Sequence, residues 1–397
     1  RILNDQKEYL QSLDEEKIIE RELPFDVSPY LSKPNVLSIL GVRRCGKSTL
    51  GYLLVRGKRF AYVDFSDDRL TGFNDFDMLT RAFYEIYGDF DYVLIDEPQY
   101  VNGWELFVNR LRKGKRVIVT GSSSSLLSGE LSTALTGRHV DLVLFPFSFK
   151  EYLKYKGVNI DVYSTRSISL IKSHLESYLR EGGFPEAISL GKRIIPSIYN
   201  DILIKDVVNR YRVREVTKFK EFANAIVKYF SSEVSIRKLS YNLGLSTATV
   251  EEWLRYIQES YLVYPIKRYS PKNFNAFRKV YVVDPGIINY LSPFSYGGIM
   301  ENVVATHLLR KNQLEGVYYV RGEDYEVDFF DEKEGELIQV SYFSSLDELN
   351  KNEVTSLIKG SEALGVSKLK IISWDLDDEI SVEGKRIRIV PLWKYLI

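Results

Sequence analysis

A single cysteine in 397 residues excludes a disulfide framework within the chain. The three histidines, His139, His174 and His307, are scattered and form no zinc-type spacing, so each is expected to be structural. An excess of either charge is also missing. The 54 basic and 54 acidic residues cancel, so the chain as a whole has no electrostatic footprint for nucleic acid, and any such surface must be local. No apolar run approaches the ~18 residues a spanning helix needs, and no signal-peptide pattern is visible. The cytoplasm is the expected compartment, with no membrane partner. Apolar and aromatic residues are plentiful: 45% of the chain is hydrophobic, with 28 tyrosines and 21 phenylalanines. That suffices for packed cores, and the length suggests roughly two to four domains.

Residues 41–48 read Gly41-Val42-Arg43-Arg44-Cys45-Gly46-Lys47-Ser48, a complete G-x-x-x-x-G-K-[ST] phosphate loop. Val36-Leu37-Ser38-Ile39-Leu40 before it is a short apolar strand, and Thr49 onward can open a helix. The glycines let backbone N–H groups converge on phosphates, and the helix directs its positive end at them. Lys47 adds a mobile charge, and the Ser48 hydroxyl is placed for Mg²⁺. The nucleotide-binding set is therefore Gly41, Arg43, Arg44, Cys45, Gly46, Lys47, Ser48 and Thr49, with ATP and Mg²⁺ as cofactors.

Downstream, Asp91-Tyr92-Val93-Leu94-Ile95-Asp96-Glu97 is a buried-strand pattern ending in two carboxylates, a Walker B segment. Asp96 is expected to hold Mg²⁺ with Ser48, and Glu97 to polarise the attacking water. A further strand, Arg116–Thr120, runs into Gly121-Ser122-Ser123, where Ser122 or Ser123 is the candidate γ-phosphate sensor. Arg138, just before the last strand, is a candidate for reaching a phosphate in cis or across a subunit interface in a homo-oligomer.

Strand candidates at 36–40, 59–65, 91–96, 115–120 and 139–145 alternate with helical segments. This predicts an α/β fold with a parallel sheet, its chemistry at the carboxyl ends of the strands. Residues 1–34 read as a lead-in and 35–155 as the P-loop ATPase domain. Residues 156–217 read as a helical lid or connector, broken at Gly182-Gly183-Phe184-Pro185.

Residues 218–279 read as helix, helix, glycine turn, helix and strand, a winged helix-turn-helix. Its third helix carries Glu251, Glu252, Arg255 and Glu259, a poor face for DNA. The following stretch, 267–279, holds Lys267, Arg268, Lys272, Arg278 and Lys279, three aromatics and no acid. Such a stretch suits nucleic acid, and equally a solvated loop packed on a neighbouring domain. Residues 280–397 are expected to form another α/β unit, whose order of strand, carboxylate, turn and strand resembles a metal-dependent nuclease core.

The chain resembles archaeal and bacterial AAA-family ATPases that fuse a P-loop domain to a winged helix and a restriction-endonuclease-like C-terminal domain. The residues carrying the resemblance are Gly41 to Thr49, Leu94-Ile95-Asp96-Glu97, Thr120-Gly121-Ser122-Ser123 and Thr136-Gly137-Arg138. Phe145-Pro146-Phe147-Ser148-Phe149-Lys150-Glu151-Tyr152, Glu181-Gly182-Gly183-Phe184-Pro185-Glu186, Glu326-Val327-Asp328-Phe329 and Leu337-Ile338-Gln339-Val340-Ser341-Tyr342 add to it. The resemblance implies ATP binding and hydrolysis, and the leading reading couples that turnover to rearrangement of nucleic acid or a protein partner. A slow nucleotide-gated switch is the alternative, and an active ATP-dependent nuclease a third. An active nuclease core carries Asp on one strand and Glu-x-Lys on the next. Here Asp328 matches, Gln339 replaces the Glu and Ser341 the Lys, and Glu301 remains as a further carboxylate. The expectation is a nuclease-like fold without cleavage.

Overall fold

The computed structural model describes residues 1–397 except 16, 33–34, 125–134, 136 and 270–277. The described residues form two compact units. One comprises Arg1–Phe145 with Glu259–Tyr261, the other Pro146–Gln258 with Leu262–Ile397.

The first unit is built on five parallel strands: β1 (Val36–Leu40), β2 (Phe60–Asp64), β3 (Tyr92–Asp96), β4 (Arg116–Gly121) and β5 (His139–Val143). Each lies within two residues of its predicted range. Every residue of β1 is buried, as befits a central strand covered on both faces. The strand order is β2-β3-β4-β1-β5. This order decides where the chemistry sits. With β4 between β1 and β3, the loops leaving the carboxyl ends of all three strands meet at one edge of the sheet.

The helix Lys47–Val55 leaves the phosphate loop and packs closely on the sheet. A Cβ on Gly51 would lie 2.7 Å from Leu94 Cδ1, so a larger residue there would require the Leu94 side chain to shift. The predicted lead-in belongs to this unit. Gln6 in the helix Ile2–Ser12 pairs its side-chain amide with the Asp64 backbone, donating to the carbonyl and accepting from the N–H at 3.0 Å each.

In the second unit, strands β6 (Ser232–Glu233), β7 (Val263–Arg268), β8 (Arg278–Val282), β9 (Val317–Arg321), β10 (Glu326–Asp331), β11 (Glu336–Val340), β12 (Lys368–Ser373), β13 (Asp378–Val382) and β14 (Lys385–Pro391) form one sheet. Its order is β13-β14-β12-β11-β10-β9-β7-β8-β6. The composition places a boundary between 279 and 280, yet β8 spans it. β7 pairs with β9 in parallel through Lys267↔Tyr318 and Arg268↔Tyr319, so the β7–β8 hairpin and the C-terminal strands are continuous. The closing hairpin β13–β14 is not anticipated by the sequence reading. The helix Lys351–Leu364 covers β10 and β11. A Cβ on Gly360 would approach Val327 Cγ2 to 2.8 Å, and the core beneath includes Val327, Leu337, Leu357, Ile371 and Ile387.

Two sequence strings quoted above prove to be local structural devices. Ser148 caps the helix Phe149–Lys156: its hydroxyl accepts the Glu151 N–H and its own N–H reaches the Glu151 carboxylate, a capping box. Gly182 and Gly183 receive Asp284. Its carboxylate accepts the Gly183 N–H at 2.6 Å and caps the helix Pro285–Leu291 through Gly286 at 2.8 Å.

Candidate nucleotide site

The phosphate loop is held by constraints that name its residues. Gly41 has φ +147°, and a Cβ there would sit 2.0 Å from the Leu144 carbonyl oxygen. Gly46, at φ +98°, starts the helix Lys47–Val55. Arg44 also adopts a left-handed φ, 66°. Cys45 is buried and its thiol donates to the Leu144 carbonyl at 3.3 Å, so its side chain anchors the loop rather than facing a ligand; burial pushes the thiol up. Arg21 adds a clamp that sequence reasoning missed. Its guanidinium donates to the Cys45 carbonyl at 2.9 Å and to the Phe145 carbonyl at 2.7 Å. No motif surrounds Arg21, so no sequence signal could have found it.

Lys47 is 5% exposed. Its ammonium donates to the carbonyls of Gly41 and Val42 at 3.1 Å each and lies 3.7 Å from Glu97 Oε1. The two halves of the motif therefore meet.

Asp96 closes β3 and is 2% exposed. Thr120 Oγ donates to its Oδ1 at 2.7 Å and Tyr62 Oη to its Oδ2 at 2.9 Å. Burial pushes the carboxyl up to about 6, and neighbouring Asp64 adds to this, against hydrogen bonds from Thr120, Ser48 and Tyr62. The Ser48 hydroxyl and the Asp96 carboxylate thus face each other. This is an all-oxygen donor pair of the kind Mg²⁺ takes through one or two protein ligands, and the residues fit that ion. Thr120 and Tyr62 are neighbours of Asp96 that the sequence reading gave no role. Thr120 opens the string Thr-Gly-Ser-Ser, which was its only signal.

Glu97 sits at φ 48°, a left-handed conformation that turns its side chain back over the sheet edge. Its Oε2 accepts both the N–H and the hydroxyl of Ser122 at 3.2 Å, and Gln99 also donates to it. Burial raises the carboxyl, but the charges of Lys47 and Arg43 and the bonds from Gln99 and Ser122 outweigh it, so the group lies below its ordinary value. Arg43 itself donates to Tyr100 Oη at 3.1 Å. Of the two serines proposed as sensor, Ser122 is the one bonded to Glu97.

Arg138 is elsewhere. Its carbonyl accepts the Val36 N–H, which puts it at the amino end of β1 and β5. The phosphate loop leaves the carboxyl end of β1, roughly 16 Å away at about 3.3 Å per strand residue. This removes the expectation that Arg138 reaches the phosphates of its own chain.

The predicted basic patch is partly dismantled. Lys267 and Arg278 are exposed, and half-buried Arg268 donates to the Arg321 carbonyl. Lys272 lies outside the described residues. Lys279 is not a surface cation at all: it is 5% exposed and paired with Glu301, Glu326 and Asp328. β-strand alternation turns it inward while its neighbour Arg278 faces out. Asp328, Gln339 and Glu301 lie together in the second unit. The Asp328 N–H donates to Gln339 Oε1 at 3.3 Å, and the Asp328 carboxylate lies near Glu301. Ser341 hydrogen-bonds the Glu353 carboxylate.

Fold and site together define a P-loop nucleotide-binding domain of AAA type, and residues 33–153 match the AAA domain family. Residues 172–296 match a domain of unknown function, DUF8612. The chain belongs to the family of an uncharacterised protein of Methanocaldococcus jannaschii, 33% identical over 410 residues, with 96% of this chain and 91% of that one covered. An uncharacterised protein of Haemophilus influenzae is 30% identical over 348 residues, covering 81% and 85%. Among solved structures the chain is similar to a Walker-type ATPase of Pyrococcus abyssi, with 13% identity, TM-score 0.40 and coverage of 67% and 95%. It is also similar to CDC6P from Pyrobaculum aerophilum, with 12% identity, TM-score 0.26 and coverage of 76% and 95%. Neither likeness bears on function. Among the described residues, no helix is long and apolar enough to cross a membrane.

Proposed function

We propose that this protein binds and hydrolyses ATP and couples turnover to rearrangement of DNA or a protein partner. The observation that carries the reading is the convergence of Lys47, Glu97, Ser122 and Asp96 at one edge of a sheet of order β2-β3-β4-β1-β5. Lys47 neutralises the β- and γ-phosphates. Glu97, held below its ordinary pKa, is ionised at neutral pH and accepts a proton from the attacking water. Ser122 orients that carboxylate by two hydrogen bonds. Ser48 and Asp96 would hold Mg²⁺, which when bound withdraws charge from the phosphate oxygens. Arg138, remote from its own loop, would act on a neighbouring subunit of a homo-oligomer.

The helices Val216–Lys228, Ile236–Leu243 and Thr247–Glu259 with strands β6, β7 and β8 have the element order of a winged helix. This supports the nucleic-acid reading, with Lys267, Arg268, Lys272 and Arg278 as its cations. The reading is tested by ATP turnover with and without single-stranded, duplex and branched DNA, in wild type and Glu97→Gln. Loss of turnover in Glu97→Gln and stimulation by one DNA form are expected. Turnover in Glu97→Gln at the wild-type rate would refute the assignment.

A second reading has its own observation. Glu97 is engaged by Lys47, Ser122 and Gln99 at once, which suits a slow nucleotide-gated switch that holds a partner. Turnover that stays slow with every DNA form, alongside tight ATP binding, would favour the switch.

A further inference from the structure

In the second unit one ammonium stands among three carboxylates. Lys279 Nζ lies 3.2 Å from Glu301 Oε1, 2.6 Å from Glu326 Oε1 and 3.5 Å from Asp328 Oδ1. The acids come from the helix Tyr296–Asn312 and from β10, whereas the lysine comes from β8, at the far side of the hairpin. Tyr281, on the same face of β8 as Lys279, donates its hydroxyl to Glu301 Oε1 at 2.8 Å. The Val340 N–H donates to Asp328 Oδ2 at 2.9 Å.

Carboxylates this close, with Asp328 buried and Glu301 and Glu326 partly so, repel one another and must be either protonated or neutralised by a cation. A divalent metal ion is the usual solution. Here the cluster is shaped for an ammonium instead. An ammonium has three donors and no acceptor, and three carboxylates receive it. Its separations of 2.6–3.5 Å are mostly longer than the ~2.0–2.6 Å of metal–oxygen bonds. Among the described residues, no group of three or more His, Cys, Asp or Glu side chains is placed to hold a metal ion. The residues present therefore do not fit a metal while Lys279 is in position. Burial draws the lysine down, but the three acids outweigh it and hold it well above its ordinary value, so it stays charged.

We propose that Lys279 is the built-in cation of this carboxylate cluster, standing where a nuclease-like core would hold a divalent metal ion and closing the site to metal. The lysine has a second consequence. Because it is carried on β8 and its partners on β10 and a helix, the ion pairs tie the β7–β8 hairpin to the nuclease-like strands without a bound metal. Removing the ammonium leaves Glu301 and Asp328 without their cation, while Glu326 keeps Arg321 at 3.7 Å, and frees the pair to draw in a divalent ion.

The test uses the full chain without nucleotide and measures Mn²⁺ uptake by electron paramagnetic resonance, together with the Mn²⁺ dependence of Tm. Wild type is expected to take up no Mn²⁺ that depends on Asp328. Lys279→Met is expected to gain one Mn²⁺ per chain, lost again in K279M/D328N, and to rise in Tm by several degrees on adding Mn²⁺. If K279M does not fold, K279M/E301Q, with one acid fewer, carries the same measurement. Mn²⁺ uptake by wild type that disappears in Asp328→Asn would overturn the proposal. So would a folded Lys279-deficient chain that gains neither Mn²⁺ nor Mn²⁺-dependent stability.

Discussion

Glu97 Oε2 takes both the backbone N–H and the hydroxyl of Ser122 at 3.2 Å, so the carboxylate after the Walker B aspartate is oriented from the end of the neighbouring strand. Ser122→Ala keeps the N–H bond and loses the hydroxyl. Turnover is expected to fall by ~10–100-fold through misorientation of the base, with little change in ATP affinity. Steady-state kcat and KM check this, and an affinity loss as large as the rate loss would reassign Ser122 to binding.

Lys47→Ala should act oppositely. The ammonium is the charge aimed at the phosphates, and a charge-assisted hydrogen bond is worth about 1.5–3 kcal/mol. ATP affinity by titration calorimetry is expected to fall by ~10–100-fold or more. Unaltered affinity would mean that the lysine stays on the Gly41 and Val42 carbonyls when nucleotide binds.

A pH effect follows from Asp96. Its folded-state value of about 6 lies above the ordinary 3.8. The folded, nucleotide-free chain therefore binds this proton more tightly than the unfolded chain. The stabilisation is present at low pH and lost as pH rises through about 6. For function the order reverses, since Mg²⁺ needs the carboxylate and competes with the proton. Mg²⁺-dependent turnover should drop as pH falls through about 6 and recover with excess Mg²⁺. A rate independent of pH and Mg²⁺ across that range would remove Asp96 from metal binding.

Arg138→Ala should lower turnover by ~10³-fold if the arginine serves a neighbouring subunit. Because Arg138 and the phosphate loop lie at opposite ends of β1, mixing Arg138→Ala with Lys47→Ala chains should restore part of the rate. A monomeric enzyme with unchanged turnover in Arg138→Ala would end this idea.

Gly183→Ala is expected to destabilise the second unit by about 1–3 kcal/mol, because a Cβ there would meet the Phe147 carbonyl oxygen at 2.2 Å. Asp284→Ala should also destabilise, by leaving the Gly183 and Gly286 N–H groups without their acceptor. Urea unfolding checks both, and wild-type midpoints would refute them.

The nucleotide site was largely legible in the sequence. A phosphate loop is contiguous, and its glycines answer to local constraints: Gly46 to a left-handed φ, Gly41 to the close approach of Leu144. The five strands of the first sheet were equally legible, since buried parallel strands are short apolar runs between breaks. Arg21, Tyr62 and Thr120 gained their roles only when the strand order brought distant segments to one edge, and no periodicity records strand order. The same order moved Arg138 to the opposite end of the sheet. Lys279 shows the division most plainly. Its composition window reads as a basic surface loop, and the alternation of β8 decides which cations face out. Pairing of β7 with β9 then brings a lysine from one hairpin to carboxylates some fifty residues on, a contact set by tertiary pairing alone.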